Sequence, residues 1–101
     1  MNLRLDNKNI RIRLNEKEWA KLQESGKVFL VFELGFARDL AVNLTLSDHN
    51  DCQMVGFEVH VHIDRESLQK PQKKKDPYWN YLNDKGIHWS LDVDIIPEEK
   101  R

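Results

Sequence analysis

The amino-acid sequence predicts an α+β domain in which an antiparallel sheet of about five to six strands packs against one or two short helices on one side. Most apolar stretches alternate with polar residues at a period of two, whereas few and short stretches have helical spacing. Short polar turns separate consecutive strands, which favours antiparallel pairing because a parallel return needs a longer crossover. A partly closed β-barrel is the alternative.

The length and composition predict a single domain over residues 1–101. The chain has 101 residues, of which 40% are hydrophobic, so two independently folded halves would each lack a sufficient core. Its 16 Lys and Arg residues oppose 17 Asp and Glu residues, giving a formal net charge of -1. Because the charge is balanced, no global field favours nucleic acid or an anionic membrane.

The N-terminal residues predict a β-hairpin that opens the sheet. Leu3 and Leu5 alternate with polar residues, and the turn-forming stretch 6–9 separates them from a second alternating stretch, 10–14. This pattern is typical of two antiparallel strands joined by a short turn.

A helix is predicted over residues 16–25, directly after the hairpin. Asn15 can cap its N-terminus, and Glu18 lies three residues later, where its carboxylate can return a hydrogen bond to the cap amide. Gly26 can adopt the left-handed conformation that ends a helix.

Two further strands are predicted before residue 50. Residues 27–34 are apolar on both faces, which predicts a strand covered on both sides and central in the sheet. Residues 40–47 alternate with a period of two and predict a strand with one wet face, followed by a polar loop.

Residues 55–63 have the most regular alternation in the chain and predict one long strand. One face is apolar and the other polar; the apolar positions are Val55, Phe57, Val59, Val61 and Ile63, and the polar ones are Gly56, Glu58, His60, His62 and Asp64.

The remaining residues predict small elements at the C-terminal end. Residues 65–69 predict a helical turn, and 70–77 a mobile loop, because this segment is lysine-rich and contains two prolines. Residues 78–82 have the spacing of a short helix, 88–95 alternate as a last strand, and 97–101 form a charged tail.

The lone cysteine and the lack of apolar runs indicate a cytoplasmic protein. Cys52 has no partner for an internal disulfide, and no cysteine pair has metal-ligand spacing. Neither a signal peptide nor a stretch long enough to span a bilayer is recognisable.

The polar face of residues 55–64 is the one place where the sequence suggests metal chemistry. His60 and His62 would lie roughly 6.5 to 7 Å apart on one strand face. If the strand of His88 and Asp92 were its neighbour, these four residues would resemble the nitrogen and oxygen ligands of zinc, manganese or iron sites. The alternative is a solvated face, since His beside Glu58 is typical of the wet side of a strand.

Basic side chains form two smaller groups. Arg11 and Arg13, with Arg4, lie on one face of the hairpin and suit either an anion or cross-strand ion pairs, of which we favour the ion pairs. The lysines of the loop lie close to aromatic residues, a combination found in single-stranded nucleic acid binding, but the neutral charge balance favours a solvated loop.

The N-terminal quarter resembles the opening of a family of small, uncharacterised bacterial proteins. The resemblance rests on Leu3-Arg4-Leu5, Asn9-Ile10-Arg11-Ile12-Arg13-Leu14, Glu18-Trp19, Leu22 and Gly26-Lys27-Val28. It implies a hairpin, a helix and then strands, and it implies no activity.

Together these observations favour a small non-enzymatic binding or interaction module. No complete catalytic set and no glycine-rich phosphate loop is present in the sequence, so no cofactor is predicted. The partner would be a second copy in a homodimer or another protein, through an exposed sheet edge. The alternative is a metal-binding protein or small metal-dependent enzyme that uses His60 and His62.

Overall fold

The computed structural model describes residues 1–33, 35, 39–68 and 77–94. These residues form eight strands, one α-helix and one 3₁₀ turn. In chain order they are β1 (Asn2–Asp6), β2 (Asn9–Asn15), α1 (Glu16–Ser25), β3 (Lys27–Phe32), β4 (Leu40–Ser47), β5 (Asp51–Val55), β6 (Glu58–Asp64), the 3₁₀ turn (Arg65–Ser67), β7 (Trp79–Leu82) and β8 (His88–Asp94). The predicted loop 70–77 lies outside the described residues except for Pro77, and the predicted tail 97–101 lies wholly outside them.

The strands form two four-stranded mixed sheets, which corrects the prediction of one antiparallel sheet. Sheet A has the order β1-β2-β8-β7, and sheet B has the order β3-β4-β6-β5. In each sheet the two central strands are parallel and the outer pairs are antiparallel. Over the residues described, neither sheet closes into a barrel.

The parallel pair β4–β6 forms without a helical crossover. Strand β5 runs back along the far edge of sheet B, and a tight hairpin then returns the chain as β6 between β4 and β5. A strand therefore replaces the long connection that a parallel pair normally needs. The expectation of antiparallel pairing throughout was wrong because it considered only consecutive strands.

The hydrophobic core is a single cluster to which both sheets and the helix contribute. Alternate residues of β4 and β6 point into it, as do those of β2 and β8, and Leu22 adds the buried face of α1. Its largest fully buried side chains are Trp79, Ile12, Leu14, Leu22, Leu44, Ile63 and Leu91. One shared core explains how a chain of this length holds two small sheets together.

The N-terminal hairpin and helix confirm the sequence prediction. Asn15 Oδ1 accepts a hydrogen bond from the Glu18 amide at 2.8 Å, and Glu18 Oε1 accepts one from the Asn15 amide at 2.9 Å. Gly26 follows with φ 78°, the left-handed conformation that ends the helix at low cost. The helix spans Glu16–Ser25, as predicted.

The predicted strand over residues 55–63 is instead the end of one strand and the whole of the next. Gly56 has φ 61° and, with Phe57, forms the two-residue loop between β5 and β6. A glycine with positive φ at the first loop position is typical of a tight hairpin turn. Val55 and Phe57 are consequently exposed, at 63% and 46%, although the alternation placed them on the buried face.

Two other predictions are corrected by the strand order. Strand β3 lies at an edge of sheet B, whereas its apolar faces predicted a central strand. Residues 79–82 form the edge strand β7, not a helix, because Trp79 pairs with Leu91 and enters the core. The predicted helical turn after β6 is confirmed in shorter form by the 3₁₀ turn.

Candidate functional site

The face of sheet B that points away from the core carries the histidines singled out in the sequence. The strand register places its side chains in three cross-strand rows: Val31, Ala41, Glu58 and Val55; Phe29, Asn43, His60 and Gln53; and Lys27, Thr45, His62 and Asp51. The intervening residues of β4 and β6 are buried in the core. This outer face of sheet B is therefore polar in its centre and apolar at β3.

His60 and His62 lie on β6, and a third imidazole joins one of them. The ring of His49, from the loop after β4, stacks on that of His62 with centroids 5.3 Å apart and planes 18° apart. His60 Nε2 lies 3.7 Å from Glu58 Oε2, which makes an ion pair only when the imidazole is protonated. The sequence predicts only a polar loop around His49 and does not place it beside His62, because the strand β5 that follows the loop is not predicted.

The loop of His49 is held by short-range hydrogen bonds. His49 Nδ1 lies 3.0 Å from Asp48 Oδ1, and the Ser47 hydroxyl donates to the His49 carbonyl at 2.8 Å. The hydrogen bond from His49 lowers the pKa of the Asp48 carboxyl below its usual 3.8. These contacts fix the loop that carries the stacked imidazole.

His88 and Asp92 do not join this face. They lie on β8 in sheet A, whereas β6 belongs to sheet B. The two strands are therefore not neighbours, although the predicted four-residue metal site requires them to be. His88 Nε2 lies 2.9 Å from Asn80 Oδ1, across the β7–β8 pair. Within the described residues, no three His, Cys, Asp or Glu side chains are grouped to hold a metal ion. Metal binding through His60 and His62 stays the untested alternative.

Strand β3 presents an apolar surface at the edge of sheet B. Phe29 is 56% exposed and Val31 is 46% exposed, while the alternate residue Val28 is buried. In the part of the chain that the structure describes, β4 is the only strand paired with β3. We call the unpaired edge of β3, with Phe29 and Val31, the β3 surface.

The arginines of the first hairpin lie on the outer face of sheet A. Arg4 on β1 is directly opposite Arg11 on β2, and Arg13 is opposite Asp92 on β8. All three guanidinium groups are exposed, and among the described residues none is within ion-pair distance of a carboxylate. The structure thus shows no cross-strand ion pair of these arginines within the residues it describes, contrary to the pairing favoured from the sequence.

Cys52 lies on β5 and is partly buried against the core. Burial, with a smaller contribution from the charge of Asp51, raises the pKa of its thiol to about 12. The thiol therefore stays protonated at neutral pH, where nucleophilic chemistry needs the thiolate.

Comparisons with protein-family models, curated proteins and solved structures gave no match for this chain. In the described residues, no helix is long and apolar enough to cross a membrane. The resemblance of the N-terminal quarter to small bacterial proteins stays a prediction.

Proposed function

We propose that the chain is a non-enzymatic interaction module that associates with a second copy of itself through the β3 surface. This proposal depends on one observation: β3 has the apolar composition of a buried strand, but its outer face is exposed to solvent. Its sequence is apolar on both faces, as in a strand covered on both sides, yet Phe29 and Val31 remain largely exposed. Exposed apolar side chains on an unpaired strand edge mark a place where another chain adds to the sheet.

Antiparallel pairing of β3 with the same strand of a second copy would both pair the open strand edge and bring the exposed apolar side chains of the two copies together. In a register centred on Phe29, the two Phe29 rings face each other and Lys27 lies opposite Val31 of the partner subunit. No like charges are then opposed, and the aromatic pair adds about 0.2–1 kcal/mol to the association. The open backbone groups of the two Phe29 residues would pair with each other, and the N–H and C=O of Lys27, which are hydrogen-bonded to Ser25 Oγ, would exchange that partner for Val31 of the partner subunit.

The size of this surface limits the affinity. β3 has six residues, so the edge is about 20 Å long at roughly 3.3 Å per residue. A standard stable interface buries about 800 Å² on each partner, which one short strand edge does not provide alone. We therefore expect a dissociation constant on the order of micromolar, and a dimer that dissociates on dilution.

Sedimentation equilibrium of the full chain tests this proposal. We expect the wild type to pass from monomer to dimer as its concentration rises through the micromolar range, and Phe29→Lys to remain monomeric. Leu82→Lys is the matched control, because Leu82 is 65% exposed on the edge strand β7 of the other sheet. A wild type that stays monomeric, or a dimer that survives in Phe29→Lys, would contradict the proposal.

A further inference from the structure

A pair of opposed like charges marks a second surface, on sheet A. Arg4 and Arg11 are directly opposite each other on neighbouring antiparallel strands, where like charges repel. Over the described residues neither guanidinium has an ion pair, a side-chain hydrogen bond or an aromatic contact. An anionic group placed between them would remove the repulsion and accept hydrogen bonds from both.

The strand that carries Arg4 also has an unpaired backbone edge. Strand β1 is the terminal strand of sheet A, and β2 is its one partner in the part of the chain described. Leu5, on the opposite face of β1 from Arg4, is 67% exposed although the register places it beside Ile10. β1 thus offers unpaired backbone groups, an uncovered apolar side chain and an uncompensated charge together.

We propose that β1 binds an extended, acidic segment of a partner protein, which adds to sheet A as a further strand. An Asp or Glu of that segment would lie opposite Arg4, and an apolar residue on the other face would cover Leu5. Arg11 lies about 10 Å from the added strand, two strand spacings away, so its long side chain can reach the same carboxylate. Backbone hydrogen bonds would supply affinity, and this charge pattern would supply specificity.

The charge pattern separates this partner from a second copy of the chain. Antiparallel pairing of β1 with itself about Arg4 would place Arg4 against Arg4 of the partner subunit, with an Arg11 on each side. Four guanidinium groups would then lie in one row, which costs free energy. The self-association proposed for β3 therefore does not extend to β1.

The same face does not suit a nucleic acid strand. Asp6 lies on it two residues from Arg4, and Asp92 and Asp94 follow along β8, so carboxylates flank the arginines. A continuous phosphate backbone would meet these negative charges, and the net charge of the chain is -1. A peptide with acidic residues only where the arginines lie meets no such repulsion.

Fluorescence anisotropy with labelled peptides tests the proposal on the full chain. The probe is an end-blocked peptide in which valine alternates with threonine except for one central glutamate, which is to lie opposite Arg4, and the comparison peptide has lysine in place of that glutamate. We expect the glutamate peptide alone to bind, and Arg4→Glu to weaken that binding by about tenfold or more. The lysine peptide should in turn bind the Arg4→Glu protein better than it binds the wild type.

Two controls separate strand addition from simple charge attraction. Lys17→Glu makes the same change of charge at an exposed position of α1 and should leave the affinity unchanged. Two further peptides carry N-methyl groups either on the odd-numbered or on the even-numbered residues, whose N–H groups point to opposite edges of the strand. Only one of these two peptides should lose binding, because only one edge of the peptide pairs with β1. Circular dichroism checks that Arg4→Glu is folded, and Arg4→Gln, which only removes the charge, repeats the test.

Three results would overturn the proposal. The first is equal binding of the glutamate and lysine peptides, and the second is binding unaffected by either N-methylated set. The third is displacement of the glutamate peptide by oligodeoxythymidine at a lower concentration than by unlabelled peptide. Because β1 and β3 lie in different sheets, failure here would leave the test of the β3 surface intact.

Discussion

Trp79 donates its indole N–H to Asn50 Oδ1 over 2.9 Å, and this hydrogen bond links the two sheets. Trp79 is buried on β7 of sheet A, whereas Asn50 lies in the loop between β4 and β5 of sheet B. The same oxygen accepts the Asp64 amide at 2.8 Å, and Asn50 Nδ2 donates to Ser67 Oγ at 3.3 Å. The side chain of Asn50 is thus hydrogen-bonded both to the indole of Trp79 in sheet A and to the end of β6 in sheet B.

Replacing Asn50 by alanine is expected to reduce the free energy of unfolding by about 1–3 kcal/mol. The change leaves the buried Trp79 indole without an acceptor, and an unsatisfied buried donor carries its full desolvation cost. Asn50→Asp keeps an acceptor oxygen and should retain more of the stability than Asn50→Ala. Urea unfolding, followed by tryptophan fluorescence, measures both changes.

Gln53→Ala is the control for this series, since Gln53 is exposed on β5. A surface truncation of this kind is expected to change stability by at most about 0.5 kcal/mol. If Asn50→Ala were as stable as Gln53→Ala, the hydrogen bond between Trp79 and Asn50 would make no measurable contribution to the free energy of unfolding.

The elements that could be predicted from sequence are those fixed by local interactions. The first hairpin depends on alternation around a short turn, and α1 depends on a cap and a terminator within a few residues of it. Asn15, Glu18 and Gly26 satisfy backbone groups of their own neighbourhood, so their roles are visible without the rest of the chain.

The elements that were missed depend on contacts distant in sequence. The alternation of residues 55–63 continues through Gly56, so period alone cannot show that the chain reverses there. Trp79 has the spacing of a helical residue, but pairing with Leu91 makes β7 a strand. The parallel pairs could not be foreseen either, because they join strands that are not consecutive.

The surfaces were only partly predictable for the same reason. Arg4 and Arg11 were placed on one face by the hairpin pattern, and the register confirms it. The sequence predicts that both apolar faces of β3 are buried, whereas the structure exposes the outer one, because the position of a strand at an edge depends on how the whole sheet pairs. His88 and Asp92 were separated from His60 by the division into two sheets.

The capping box of α1 provides a second prediction. Asn15→Ala removes the acceptor for the Glu18 amide and is expected to lower the free energy of unfolding by about 1 kcal/mol. Gln23→Ala, at an exposed position in the last half of the same helix, should change it by much less. Chemical denaturation of both variants measures the difference, and an equal effect would show that the cap contributes nothing measurable.

Cys52 provides a prediction about alkaline pH. Its pKa is raised in the folded protein from 9.0 to about 12, so the unfolded chain loses the thiol proton first as the pH rises. The contribution of the protonated thiol to stability is therefore complete below pH 9 and is lost as the pH rises from there toward 12. Wild type should lose stability more steeply than Cys52→Ser over this interval.

Alkylation by iodoacetamide gives an independent measurement of the same thiol. At pH 9 the folded protein should react much more slowly than the chain unfolded in urea, because only the thiolate is nucleophilic. Equal rates in the two states, together with parallel pH dependences of wild type and Cys52→Ser, would show that burial does not protect the thiol.

The histidines of the outer face of sheet B provide the last prediction. A structural zinc site needs four ligands, and His60 and His62 lie in a different sheet from His88 and Asp92. We therefore expect purified, tag-free protein, loaded with zinc and dialysed, to retain much less than one zinc per chain by elemental mass spectrometry. Retention near one zinc, lost in both His60→Ala and His62→Ala but kept in His88→Ala, would favour the metal-binding alternative. In that case His49→Gln would test whether the imidazole stacked on His62 serves as a third ligand.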